Sequence, residues 1–234
     1  MGDWKQKRFW KEVSVAETDG GFAIELDGRR IKTPAKATLL APTRAMADAI
    51  ATEWDAQEGE VDPSSMPFTR SANAAIDKVR IQHGEVADML AAYGDADLLC
   101  YRADSPAGLT ARQAEIWDPA LDWAAEALGA RLEPRSGLMH TPQDADALAR
   151  LTAQVHALDD FQLAGFHDLV SLSGSLILGF AAAQNWRSAN EIWEMSRVDE
   201  LWQEEQWGQD EEAQEVAEIK RQSFLHAKAV FDFS

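Results

Sequence analysis

Acidic side chains are the densest chemistry in this chain. Between Glu191 and Glu218 there are eleven carboxylates and one base, Arg197. Paired carboxylates perform general acid and base work, as in glycoside hydrolysis, when two of them share a cleft in different environments. Here they fall on what reads as two consecutive helices, so a solvated face is the simpler account. Aromatic residues are interleaved with them: Trp186, Trp193, Trp202 and Trp207. Trp186 and Trp193 are seven residues apart and share a helix face. Tryptophan offers large contact area at low rotamer cost, and carboxylates add orientation and on-rate. The mixture suits a partner-binding face, while each single tryptophan also suits bundle packing.

Other chemistries find no pattern. No GxGxxG follows a strand, and there is no GxxxxGK[ST] phosphate loop. None of the five histidines (His83, His140, His156, His167, His226) has a carboxylate three or four residues before it. HExxH zinc sites and the ExxH of di-iron bundles are therefore absent, and no metal or cofactor is expected. Ser171, Ser173 and Ser175 surround Gly174 without a GxSxG elbow, so their hydroxyls are expected to bond the preceding helical turn. His156 and His167 read as structural. Cys100, the single cysteine, lies beside Leu98, Leu99 and Tyr101 and reads as a small buried hydrophobe.

The elements that must carry these residues divide the chain. Val13–Val15 and Phe22–Leu26 alternate around Asp19-Gly20-Gly21, and Asp27-Gly28 predicts a hairpin into Arg29–Thr33. Thr43 predicts an N-cap for a helix to about Gln57, with Met46, Ile50 and Trp54 on one face. A further helix is expected from Phe68 to about Arg80. Thr110 is expected to cap a helix ended by Gly129, and Thr141-Pro142 to open the next. Phe161 to Gln184 is apolar nearly all round, which predicts one central bundle helix. Two more are expected over 188–206 and 209–231. The expected class is therefore α+β, a small β-rich N-terminal domain over 1–88 and a mainly α-helical domain over 89–234.

Bulk charge narrows the partners. The 234 residues carry a formal net charge of −18 with 46% hydrophobic residues, which supports a sizeable core and repels nucleic acid and anionic membranes. Residues 1–57 hold nine bases and nine acids, whereas 158–234 hold five bases and fifteen acids. The longest apolar run, Leu169 to Ala183, is interrupted and too short to span a bilayer. The opening Met1-Gly2-Asp3-Trp4-Lys5 leads into Lys7, Arg8 and Lys11 without an apolar stretch, so no secretory signal is expected. One cysteine fits a reducing compartment.

Several blocks resemble a known family. They are Arg8-Phe9-Trp10-Lys11; Leu26-Asp27-Gly28-Arg29 with Lys32-Thr33-Pro34; and Ala49-Ile50-Ala51-Thr52-Glu53-Trp54-Asp55-Ala56-Gln57. Met66-Pro67-Phe68-Thr69-Arg70 follows, with Ala72-Asn73 and Ala75-Ile76-Asp77. Then come Asp97-Leu98-Leu99-Cys100-Tyr101-Arg102, Trp117-Asp118-Pro119, and Asp199-Glu200-Leu201-Trp202 with Trp207-Gly208 and Glu211-Glu212-Ala213. Collinear over almost the whole chain, they resemble the "ATP-twelve" assembly chaperones of the ATP synthase catalytic sector.

The resemblance implies a β-rich N-terminal domain, a helical C-terminal domain and a non-enzymatic role. That role is to bind the unassembled ATP synthase alpha subunit, prevent its aggregation and promote assembly. Eukaryotic members act in the mitochondrial matrix; without their targeting extension, a bacterial cytoplasmic member and a monomer are expected. Partner contact is expected from Asp199, Glu200, Trp202, Glu204, Trp207, Glu211, Glu212 and Trp54, although core packing is the simpler role for Trp54. A hydrolase using paired carboxylates and an acidic adaptor for a basic protein are the alternatives.

Overall fold

A computed structural model describes residues 7–136 and 141–234; the first six residues and His140 lie outside the described residues. Contacts gather the chain into two units. One runs to His83 and takes in Asp159–Ala164 and Ala229–Ser234; the other holds Gly84–Leu158 and Gly165–Lys228.

In the first unit, β1 (Val13–Thr18), β2 (Gly21–Leu26), β3 (Arg29–Arg30) and β4 (Leu40–Ala41) form an antiparallel sheet. β2 pairs with β1 from Val13↔Leu26 to Thr18↔Gly21 and with both β3 and β4. The β2–β3 turn is the expected one: Asp27 and Gly28 both have positive φ, 49° and 76°, as a type I′ turn requires. Asp27 also ties the turn to the preceding chain. Its carboxylate accepts from the backbone N–H of Glu12 at 2.9 Å and of Lys11 at 3.0 Å, donors that hold its pKa below the ordinary value.

Two-stranded pairings are marginal alone, so the sheet needs cover. It comes from α1 (Arg44–Asp55) and α2 (Pro67–Ala74), the latter continuing through a π-helical turn over Ala75–Val79. Thr43 caps α1 as expected, its hydroxyl accepting from Met46 N. Met46 and Ile50 join Trp10, Ile24, Leu26, Leu39 and Ile76 in the core, together with Phe161 and Val230. Glu53 on α1 in turn caps α2, accepting from Phe68 N at 2.6 Å and Thr69 N at 2.8 Å. Partial burial nevertheless pushes its carboxyl pKa up.

The second unit is mainly helical. It contains all of α4 (Ala107–Ala127), α5 (Ala145–His156), α7 (Leu176–Ala183), α8 (Ala189–Met195) and α9 (Val198–Trp207). It also holds most of α3 (His83–Ala91), α6 (Asp160–Ser173) and α10 (Glu211–Asp232). A two-stranded parallel pair, β5 (Tyr101–Arg102) with β6 (Arg135–Ser136), completes it. This is an α+β protein.

Five expectations need correction. The apolar stretch 161–184 is two helices, because Gly174 takes φ 71° and Ser175 is extended. Ser173 does bond the preceding turn, donating to Leu169 O at 2.6 Å, but Ser175 caps α7, accepting from Leu178 N at 3.0 Å. The stretch 188–206 is also two helices, α8 opened by a Ser188–Glu191 capping box and α9 starting after Arg197. α4 starts after Pro106, so Thr110 lies inside it and donates to Ala103 O at 2.9 Å. α5 is capped by Asp144 and not opened by Thr141-Pro142.

Candidate partner-binding face

The α8–α9–α10 segment places the expected site residues in three different environments. Asp199 faces inward. It accepts from Gln113 Nε2 at 2.7 Å, while Gln113 Oε1 accepts from Ala103 N at 2.8 Å. Gln113 is buried, so Asp199 fastens the first turn of α9 to α4. Trp202 does similar work three residues on. Its ring lies under the Arg112 guanidinium, 4.8 Å from carbon to centroid. It also packs so closely on Gly108 that a Cβ there would stand 2.6 Å from the indole. Arg112 then reaches Glu205 at 2.8 Å. Glu204 is half-buried and lies 3.6 Å from Arg197.

The others face solvent. Glu200 is exposed, with Arg197 Nε 4.0 Å away. Trp207, the last residue of α9, is 79% exposed. Glu211 and Glu212 lie exposed in the first turn of α10, where the helix dipole favours negative charge. Trp54 belongs to the first unit. It packs partly buried against the core, its ring 5.3 Å from that of Trp10. The expected set is therefore not one patch: Asp199, Trp202 and Glu204 hold α9 in place, and Glu200, Trp207, Glu211 and Glu212 are open.

On α9 and α10, three exposed apolar residues were not singled out from the sequence: Leu201 at 39%, Val216 at 46% and Ile219 at 60%. For Val216 and Ile219 a signal existed, since two apolar residues at i, i+3 flanked by Glu212 and Glu215 read equally as an inward stripe. Only the tertiary placement of Gln214, Ala217 and Arg221, half-buried beside Trp193 and Leu201, decides which side of these turns faces in. Leu201 also lines a groove with Ile116, Met195 and Val198 that is rimmed by Glu191, Glu194 and Glu205 and by Arg112 and Arg187. Arg221, bound at 2.7 Å and 2.8 Å to both oxygens of Glu218, pulls that carboxyl down to about 2.

Glu53 and Asp97 are carboxyls that burial pushes up. They belong to different units, and each spends its oxygens on hydrogen-bond donors. Asp97 is completely buried. It accepts from Leu99 N at 3.0 Å, Ser175 Oγ at 2.7 Å and Ile177 N at 3.0 Å. Burial still lifts it to about 6. Its role is to join the Leu98–Cys100 turn to the start of α7. Burial likewise pushes the neighbouring Cys100 thiol up to about 12, which makes it inert as a nucleophile. Among the described residues no group of three or more His, Cys, Asp or Glu could hold a metal ion. None of the helices searched is long and apolar enough to cross a membrane.

Comparison with known proteins places the architecture. The family model described as ATP12 chaperone protein matches residues 7–125. The structure of Atp12 from Paracoccus denitrificans is 46% identical and superposes with a TM-score of 0.96 over 99% of each chain. A chaperone-described protein from Agrobacterium tumefaciens is 42% identical, with a TM-score of 0.90 over 96% of this chain and 84% of that one. The mitochondrial protein atp12 of Schizosaccharomyces pombe is 25% identical over 96% of this chain and 81% of its own length.

Proposed function

The chain belongs to the ATP12 chaperone family, and from that premise we propose that it captures the unassembled alpha subunit of ATP synthase and hands it on to assembly. The observation that carries this is the open face of α9 and α10. Leu201, Trp207, Val216 and Ile219 stand exposed there, in a stretch, 198–219, with nine acids and no base. Exposed apolar groups rimmed by charge mark a protein-interaction surface. An unassembled subunit exposes the apolar surface its neighbours will cover, which makes it prone to aggregate. A holder must shield that surface at moderate affinity and release it when the neighbour competes. No nucleotide site or enzymatic step is needed. The proposed setting is a bacterial cytoplasm, with the chaperone acting as a monomer.

Among the expected residues, Glu200, Trp207, Glu211 and Glu212 are proposed to meet the client directly. Asp199, Trp202 and Glu204 act by holding α9, and Trp54 by supporting the first unit. Co-expressed alpha subunit should co-purify with this protein and resist heat aggregation in its presence; failure of both would sink the proposal. Glu200→Lys should weaken capture several-fold with an unchanged Tm, because the side chain is exposed and its one cation lies 4.0 Å away. An acidic adaptor for a basic protein would instead lose its partner at moderate salt.

A further inference from the structure

The outer face of the first turns of α10 is unpartnered. Its inner side is anchored: Arg221 donates to Asn190 at 2.7 Å, and Gln214 and Ala217 are half-buried beside Trp193 and Leu201. Val216 and Ile219 point the other way, one turn apart and 46% and 60% exposed. Glu212 and Glu215 stand four residues before them, and with Glu211 they make no ion pair among the described residues. Of the cations nearby, Arg221 is engaged with Glu218 and Arg197 with Glu204, while exposed Lys220 lines a pocket with Asp199 and Glu200. An apolar pair on a helix, flanked by free carboxylates, has the pattern of one side of a two-helix seam, whose charged borders set partner choice.

We infer that this face docks an α-helix of the client, one with an apolar seam at i, i+3, i+4 spacing bordered by Lys or Arg. Residues 211–220 span about 15 Å at 1.5 Å per residue, room for roughly three turns of the incoming helix. A helix fits where a strand does not, since α10 presents side-chain ridges and no open sheet edge. Basic borders fit because the exposed ionic groups without an ion pair over 211–220 are the carboxylates Glu211, Glu212 and Glu215 against one cation, Lys220. This deepens the capture of a protein client proposed above and rests on it.

Two arms test it with the full chain. In the first, a fluorescent peptide of about four turns, with a leucine seam and lysine borders, is titrated at about 0.15 M salt beside a twin with glutamate borders. The lysine peptide should bind at least tenfold tighter than its twin. Val216→Ser with Ile219→Ser should weaken it at least tenfold without lowering Tm, and Glu212→Gln with Glu215→Gln several-fold. Equal binding to the double serine variant would mean that the protein's overall field, and not this face, holds the peptide, which overturns the inference. So would a wild-type dimer that the serine variant abolishes, because a second copy would then own the face. In the second arm, co-expressed alpha subunit is captured by wild type and by the serine variant. Undiminished capture by the variant overturns the role of α10 and leaves the client standing. Absence of capture by wild type sinks the client alone, and the peptide arm then decides the face.

Discussion

Asp97 shows how a single side chain couples stability to pH. Burial lifts its folded-state pKa to about 6, above the ordinary aspartate value of 3.8. The folded protein therefore holds this proton where the unfolded chain has released it. The stabilisation is complete below about pH 4 and is lost as pH rises through about 6. A shift of this size corresponds to about 3 kcal/mol. Asp97→Asn should flatten that part of the stability–pH curve, measured by denaturant unfolding of dilute protein because the sequence pI is about 4.6. An unchanged slope in the variant would remove Asp97 as the cause. Trp202 tests a packing role. Gly108→Ala puts a Cβ 2.6 Å from its ring, so the indole must move, at a cost of about 1–3 kcal/mol and with a shift in tryptophan fluorescence. Trp54→Ala should cost about 3 kcal/mol, and any loss of client capture should follow the loss of stability.

At the scale of elements, the break between α6 and α7 matters most to the helical unit. Gly174 turns the chain in a left-handed conformation, and Ser175 and Asp97 satisfy the donors that the break frees. Gly174→Ala has room for its Cβ, with Leu98 Cβ 3.9 Å away, but not the favoured φ. It should cost about 1 kcal/mol, read as a lower Tm with helix content retained. Ser175→Ala removes the cap and one partner of Asp97 together, and should cost more. α10 differs in kind. Its first turns are held on one side only, so changes at Val216 or Ile219 should be read in binding and scarcely in Tm.

Across the whole molecule, sequence order and compact unit part company. The last six residues belong to the first unit, where Val230 is in the core and Phe233 stacks on Phe68, centroids 5.6 Å apart. The Thr43 hydroxyl that caps α1 also donates to Phe233 O. Removal of residues 229–234 should therefore destabilise the sheet and α1, some 190 residues away. Limited proteolysis of 7–83 checks this; a protease-resistant first unit in the truncated chain would count against it. At this scale the net charge of −18 also sets the kinetics: association with a basic client should slow with added salt, while apolar capture persists.

Local chemistry was legible in the sequence because it depends on neighbours in the chain. Asp27-Gly28 dictated its turn, Thr43 its cap, and the collinear blocks from Arg8 to Glu211-Glu212 the family, since each needs only residue type and spacing. Helix continuity was not legible over 161–184. Apolar content there says that the segment is buried, and only the donors of Ser175 and Ile177 meeting Asp97 from 78 and 80 residues away make a break at Gly174 affordable. The partner face was half legible. Its acids and tryptophans stand in the sequence, but a helical tryptophan or carboxylate does not state which way it points. Tertiary packing decided that Trp202 and Asp199 turn inward to Gly108 and Gln113. It also decided that Trp207, Val216 and Ile219 remain open, because burying one face of α9 and α10 necessarily leaves the opposite one to solvent or to a partner.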